Sequence, residues 1–177
     1  MVHFLTARQV VHFCSAVYTH YNLGVTYGNL SHHQDATESF KQAIRIKPNL
    51  AEAHFNLGVA YGKLGRHQDE IEAYKQAIRI KPDYAVAHSN LGVAYGKLGR
   101  HQDAIESFNK QAIRIKPDDA ETLYNLGVTC GNFGRYEDAI ECFKKLIRIK
   151  PDYAEAHYNL GVAYDRLGRN QDAIEAF

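Results

Sequence analysis

The chain has 177 residues, 45% of them hydrophobic, the balance of one soluble domain or of an array of small units, which excludes collagen-like, coiled-rod and disordered classes. Lys and Arg number 21 against 20 Asp and Glu, a formal charge of +1, and the two signs alternate along the chain. Phosphate binding needs a basic excess on one face, so neither nucleic acid nor an anionic membrane is expected as a partner. No apolar stretch reaches the roughly 20 residues that span a bilayer, so no membrane insertion is expected.

The first segment, residues 1–16, is a divergent leader. It resembles a secretion signal only superficially, because His12 interrupts its one apolar run. Phe4, Val11, Cys14 and Val17 stand at helical spacing, so the leader either extends the first helix or covers the N-terminal face. Cys14, Cys130 and Cys142 are an odd number without C-x-x-C spacing, which argues against a disulfide framework or a zinc site and for a reducing, cytoplasmic compartment.

From residue 17 the sequence repeats. N-L-G-V begins at Asn22, Asn56, Asn90, Asn125 and Asn159, with spacings of 34, 34, 35 and 34 residues, and R-I-K-P ends at Pro48, Pro82, Pro117 and Pro151 with the same single insertion. A fixed period of this length is the mark of a solenoid. The units are 17–50, 51–84, 85–119, 120–153 and a truncated 154–177, each reading as two helices. In the second unit, Ala53, Leu57, Ala60, Tyr61 and Leu64 recur at three- and four-residue spacing from Ala51 to Leu64, and Gly65 stops that helix. The partner helix runs from about His67 to Ile80 on Ile71, Tyr74, Ala77 and Ile78, and Pro82 ends it. Asn49 with Glu52, Asp118 with Glu121 and Asp152 with Glu155 have capping-box spacing at the next helix starts. The residue inserted beside Asn109 would rotate Ile113 and Ile115 by about 100°, so a π-type bulge is expected within 106–114.

Leu57, Gly58, Tyr61, Tyr74, Ala77 and Pro82 stand at the signature positions of a 34-residue unit, and Leu23, Gly24, Tyr27, Phe40, Ala43 and Pro48, then Leu91, Gly92, Tyr95, Phe108, Ala112 and Pro117, then Leu126, Gly127, Phe143 and Pro151 repeat them. This pattern, over residues 17–177, resembles the tetratricopeptide (TPR) repeat family. The resemblance implies an all-α fold: a right-handed α-solenoid, or superhelix, of stacked antiparallel helix-turn-helix units. Departures are His20, His54, His88 and His157 where the family often has Trp, Cys130 for Tyr, Leu146 for Ala and Glu70 for a small residue. Glycine also recurs at Gly28, Gly62, Gly96 and Gly131, where many such units carry a bulky residue. Close helix packing is the expected reason, with a widened groove as the alternative.

Reactive constellations are lacking. Gly58 to Lys63 imitates a phosphate loop with one residue too few between its glycines, and most of the ten histidines recur once per repeat, along a line where a metal needs convergence. No cofactor, metal or catalytic residue is assigned, and the chain is read as no enzyme.

A partner surface is easier to place. At about 100° per residue, one face of each first helix points away from its own hairpin, and in the resembled family that side forms the inner, concave wall that holds a peptide or partner helix. Its candidate residues run in rows: Tyr21, Phe55, Tyr124 and Tyr158, with Ser89 in the third unit; Asn22, Asn56, Asn90, Asn125 and Asn159; Val25, Val59, Val93 and Val128; then Lys63, Lys97 and Arg166. Asparagine is a poor helix former, and its amide could bond an extended peptide backbone; a similar ladder is a feature of the TPR superhelix of O-linked N-acetylglucosamine transferases. Copying a near-consensus unit would copy the asparagine with no such use. Tyr21, Val25, Val86 and Asn90 stand where chaperone-tail clamps of this family want Lys, Asn and Arg, which disfavours that partner.

The expected function is a non-catalytic scaffold or adaptor for a protein or peptide of some acidic character. The alternatives are a substrate-recruiting arm of a larger enzyme such as a glycosyltransferase, or a self-assembling scaffold. The sequence stops at Phe177 inside a second helix, and a solenoid end needs a cap; the expectation is a piece of a longer chain, or a homo-oligomer joined through open ends.

Overall fold

A computed structural model describes residues 7–108 and 118–176, with side chains from Ser15 onward. Among the described residues there are ten helices and no strand: α1 Ala7–Asn29, α2 His33–Ile46, α3 Ala51–Lys63, α4 His67–Ile80, α5 Ala85–Lys97, α6 His101–Ser107, α7 Ala120–Asn132, α8 Tyr136–Ile149, α9 Ala154–Arg166 and α10 Asn170–Ala176. The leader is therefore continuous with the first helix from Ala7. The chain forms two compact units, Met1–Ala87 and His88–Phe177. In the first, α1 packs on α2, α2 on α3 and α3 on α4; in the second, α7 packs on α8, α8 on α9 and α9 on α10.

Glycine sets the closeness of each hairpin. A Cβ on Gly24 would lie 2.7 Å from the Phe40 ring, and one on Gly58 2.6 Å from Tyr74; Gly92 with Phe108 and Gly127 with Phe143 repeat this at 2.7 Å. The aromatic of the second helix thus lies on bare backbone of the first, and any side chain there would force the pair apart. Ala36, Phe40, Leu57, Ala60, Tyr61 and Ala73 form a core cluster of the first unit. In the second, Phe108, Leu123, Leu126, Cys130 and Leu146 are almost wholly enclosed.

The turns between paired helices are closed by Gly65, Gly99, Gly134 and Gly168 at φ 68–77°, with Ser31 in the same conformation at φ 62° in the first repeat. Behind the turns at Gly65, Gly99 and Gly168 a guanidinium lies on the tyrosine of the preceding helix: Arg66 over Tyr61 at 4.5 Å, Arg100 over Tyr95 at 4.5 Å and Arg169 over Tyr164 at 4.7 Å. Each arginine also pairs with an aspartate three residues on, Asp69, Asp103 or Asp172. In the first repeat His32 substitutes, stacked on Tyr27 and 3.8 Å from Asp35.

The capping boxes do not form. The N-cap residues of α3 and α9 are Leu50 and Tyr153, which make no side-chain cap bond. At α7 it is Asp119, not Asp118, whose carboxylate accepts from the Thr122 backbone N–H at 3.0 Å. Two of the other turns are tied by histidine, His54 Nε2 lying 2.9 Å from the Pro48 carbonyl and His157 Nε2 2.8 Å from that of Pro151. The expected bulge at the insertion falls largely on residues 109–117, outside the described residues; the helix is regular to Ser107 and turns π-type at Phe108.

Candidate partner-binding wall

The sixteen expected wall residues sit on the first helices of their hairpins, α1, α3, α5, α7 and α9, and none of them is buried. In the first unit, Tyr21 leans on Phe40 with ring centroids 6.0 Å apart, and its hydroxyl accepts from Asn56 Nδ2 at 3.0 Å. Phe55 is held between Tyr74 and Tyr84, at 5.7 and 5.1 Å. Val25 packs against the core cluster, Val59 is half-exposed, and Asn22 and Lys63 are exposed.

The second unit repeats the scheme. Tyr124 lies between Phe143 and Tyr153, at 6.2 and 5.5 Å, and Asn159 Nδ2 reaches its hydroxyl at 3.4 Å while donating to the Glu155 carbonyl at 2.7 Å. Asn90, Val93, Asn125 and Val128 are half-exposed; Lys97, Tyr158 and Arg166 are exposed. Ser89 is nearly buried, with Thr122 Oγ1 3.1 Å from its hydroxyl.

Two asparagines of the ladder therefore have a task inside the wall. Asn56 ties α3 to Tyr21 of α1 and Asn159 ties α9 to Tyr124 of α7, each reaching one repeat upstream. Tyr84 and Tyr153 were missed as parts of this surface, although the string P-D-Y announces both. Burial raises both phenols' pKa, helped by Glu52 near Tyr84 and Glu155 near Tyr153, so these two are neutral groups at neutral pH.

Close packing is not the reason for the second glycine series. A Cβ on Gly28 or Gly96 would meet nothing within 4 Å, and one on Gly131 only the Ala139 methyl at 4.0 Å. These positions leave room. Beside Gly131 the room is a cavity of 360 Å³ whose lining includes Gly127, Tyr136, Ala139 and Phe143, with Val128, Asn159 and Arg166 of the wall. At Gly62 the space is filled by Glu70, a buried carboxylate with Oε2 2.8 Å from His67 Nδ1.

Nucleophilic chemistry finds little to use. Burial pushes the Cys130 thiol up to about 11 and Cys142 up to about 12, so neither is a thiolate at neutral pH. Among the described residues no group of three or more His, Cys, Asp or Glu could hold a metal ion. Nor is any described helix long and apolar enough to cross a membrane.

No curated protein matches the chain in sequence. Among solved structures, a MamA protein superposes with TM-score 0.87 at 27% identity, covering 92% of this chain and 88% of that one. MamA from Desulfovibrio magneticus RS-1, residues 41 to the end, gives 0.85 at 21% identity, covering 92% and 91%. YrrB, described as a TPR protein with an unusual peptide-binding site, gives 0.81 at 20% identity, covering 93% and 88%. All three are like this chain in fold, an all-α solenoid. The TPR repeat family matches residues 33–65, 71–99 and 134–168, and tetratricopeptide repeat families match 51–84, 87–121 and 108–141. With more than half of its length matched and the leucine-glycine-aromatic hairpins in place, the chain belongs to the tetratricopeptide repeat family.

Proposed function

We propose that the chain is a non-catalytic adaptor that holds a peptide or partner helix against the first-helix wall. At the coarser level it is a protein-interaction repeat module. The observation that carries the finer reading is the bond from Asn56 to Tyr21, matched by Asn159 to Tyr124. Within each unit, a face whose polar side chains already tie its first helices together is preorganised before a partner arrives, and a preorganised surface loses less entropy on binding. The half-exposed valines and aromatics between those ties then supply apolar contact at the spacing an amphipathic helix or extended peptide requires.

The test is selection of peptides from a random displayed library, followed by affinity measurement on the wild type and on a Val59→Glu, Val93→Glu double variant of unchanged helicity. Selected peptides should bind the variant at least about tenfold more weakly, as for loss of a central apolar contact. Equal binding by both proteins overturns the reading.

A second reading, self-association, has its own observation. Ile174 is 71% exposed, whereas its counterparts Ile71, Ile105 and Ile140 are at most 6% exposed.

A further inference from the structure

One position differs between repeats in a way that shows what its neighbour's empty space is shaped to take. Residues 36, 70, 104, 139 and 173 are equivalent and read Ala, Glu, Ala, Ala, Ala; facing them across the hairpin, Gly28, Gly62, Gly96 and Gly131 are equivalent, with Asp165 in the fifth unit. In the second repeat the glutamate fills the space that the glycine leaves. Glu70 Oε1 lies 2.5 Å from where a Gly62 Cβ would stand, its side chain is 5% exposed, and His67 at the start of α4 meets its other oxygen. The hairpin thus accommodates a carboxyethyl group between the glycine of the first helix and the first turn of the second.

In the fourth repeat the same hairpin has Ala139 in place of the glutamate, and the space stays open as the 360 Å³ cavity beside Gly131. That volume is at the small end for ligand sites, the size for a side chain and its flanking backbone. Its chemistry matches the filled counterpart. Tyr136 stands in the place of His67 and offers a hydroxyl, Phe143 and Gly127 wall the interior, and Asn132 and Arg166 add polar groups. Arg166 is exposed and takes part in no ion pair among the described residues. A guanidinium beside a partly dehydrated hollow binds carboxylate more strongly than it would in open water.

We propose that this cavity receives a glutamate side chain of an acidic peptide, with Arg166 and Tyr136 holding its carboxylate in the manner of the Glu70 seat. This rests on the wall as the binding surface and adds the anchor that sets a partner's register: the second repeat is occupied by its own Glu70, and the anchor seats in the fourth because there the open space is a cavity with Tyr136 and Arg166 in its lining.

The test fills the cavity from within. Ala139→Glu copies a residue that the second repeat carries against the same glycine, so the variant should keep the wild-type helicity and melting temperature, both to be checked. Backbone amide resonances of Gly127 and Gly131 are followed during titration with a blocked alanine pentapeptide carrying a central glutamate, and with its glutamine counterpart. The wild type should show shifts at both glycines and prefer the glutamate peptide by roughly tenfold, the scale of a charge-assisted bond. Ala139→Glu and Arg166→Gln should each abolish that preference. Equal affinity for the two peptides, shifts that avoid Gly131, or a preference kept by Ala139→Glu overturns the proposal. Should that happen while library peptides still depend on Val59 and Val93, the wall stands and the anchor alone falls.

Discussion

Ser31 is the residue at which the repeats most plainly disagree with their own geometry. It closes the first turn at φ 62°, and its backbone N–H bonds the Gly28 carbonyl at 3.1 Å, as Gly65, Gly99 and Gly134 do in the following repeats. A side chain in the left-handed region costs about 1–2 kcal/mol, and the extra freedom of an unfolded glycine offsets about 0.5–1 of that. Ser31→Gly should therefore stabilise the protein by roughly 0.5–1 kcal/mol, raising Tm by about 1–4 °C for a chain of this size. A calorimetric scan that shows a lower Tm would mean that the serine hydroxyl contributes more than the conformation costs. Cys130 and Cys142 behave in the opposite sense: their thiols are more basic in the folded state than when exposed, so each stabilises fully below its unfolded pKa, and that contribution is lost as pH rises toward the folded values of about 11 and 12.

Helix boundaries were readable from the chain because glycine and proline punctuate it. His67–Ile80 is helical as expected, and the preceding helix ends at Lys63, one residue before the expected Leu64. Cap chemistry was not readable, since an Asn or Asp three places before a glutamate occurs at three junctions and the backbone uses none of these pairs. Asp119 accepts a cap bond where Leu50 and Tyr153, at the starts of α3 and α9, offer no side-chain acceptor, and it does so because Thr122 offers both its backbone N–H and a hydroxyl there, while Ser89 meets that hydroxyl from the preceding repeat. Asp119→Ala should then cost about 1 kcal/mol, and Asp152→Ala no more than about 0.5. Urea titrations of the two variants, read by circular dichroism, separate these. Similar costs would restore the capping box at Asp152. The wall was half readable for a related reason. Periodicity places Asn56 and Tyr21 on one face, but a bond between residues 35 apart depends on how repeats stack, as does the room beside Gly131.

At the scale of the whole molecule, near-identical repeats make exceptions informative, because the same residue in the same hairpin position meets a different environment. Ile71, Ile105 and Ile140 are covered, whereas Ile174 on α10 is 71% exposed even though its neighbours Ala173 and Ala176 are buried. Covering an isoleucine side chain is worth about 1.5–3 kcal/mol, too little alone for a stable dimer, which needs on the order of 1,000 Å² of matched surface. The packing faces of these repeats are built to receive one another, so a following repeat or a second copy would supply such a surface. Association through this face is accordingly expected to be weak and to grow with concentration. In sedimentation velocity, the mean sedimentation coefficient of the 177-residue chain should rise with loading concentration, and Ile174→Glu should remove the rise while leaving helicity intact. If the variant and the wild type sediment alike at every concentration, Ile174 belongs to no contact between copies, and the self-association reading loses its observation.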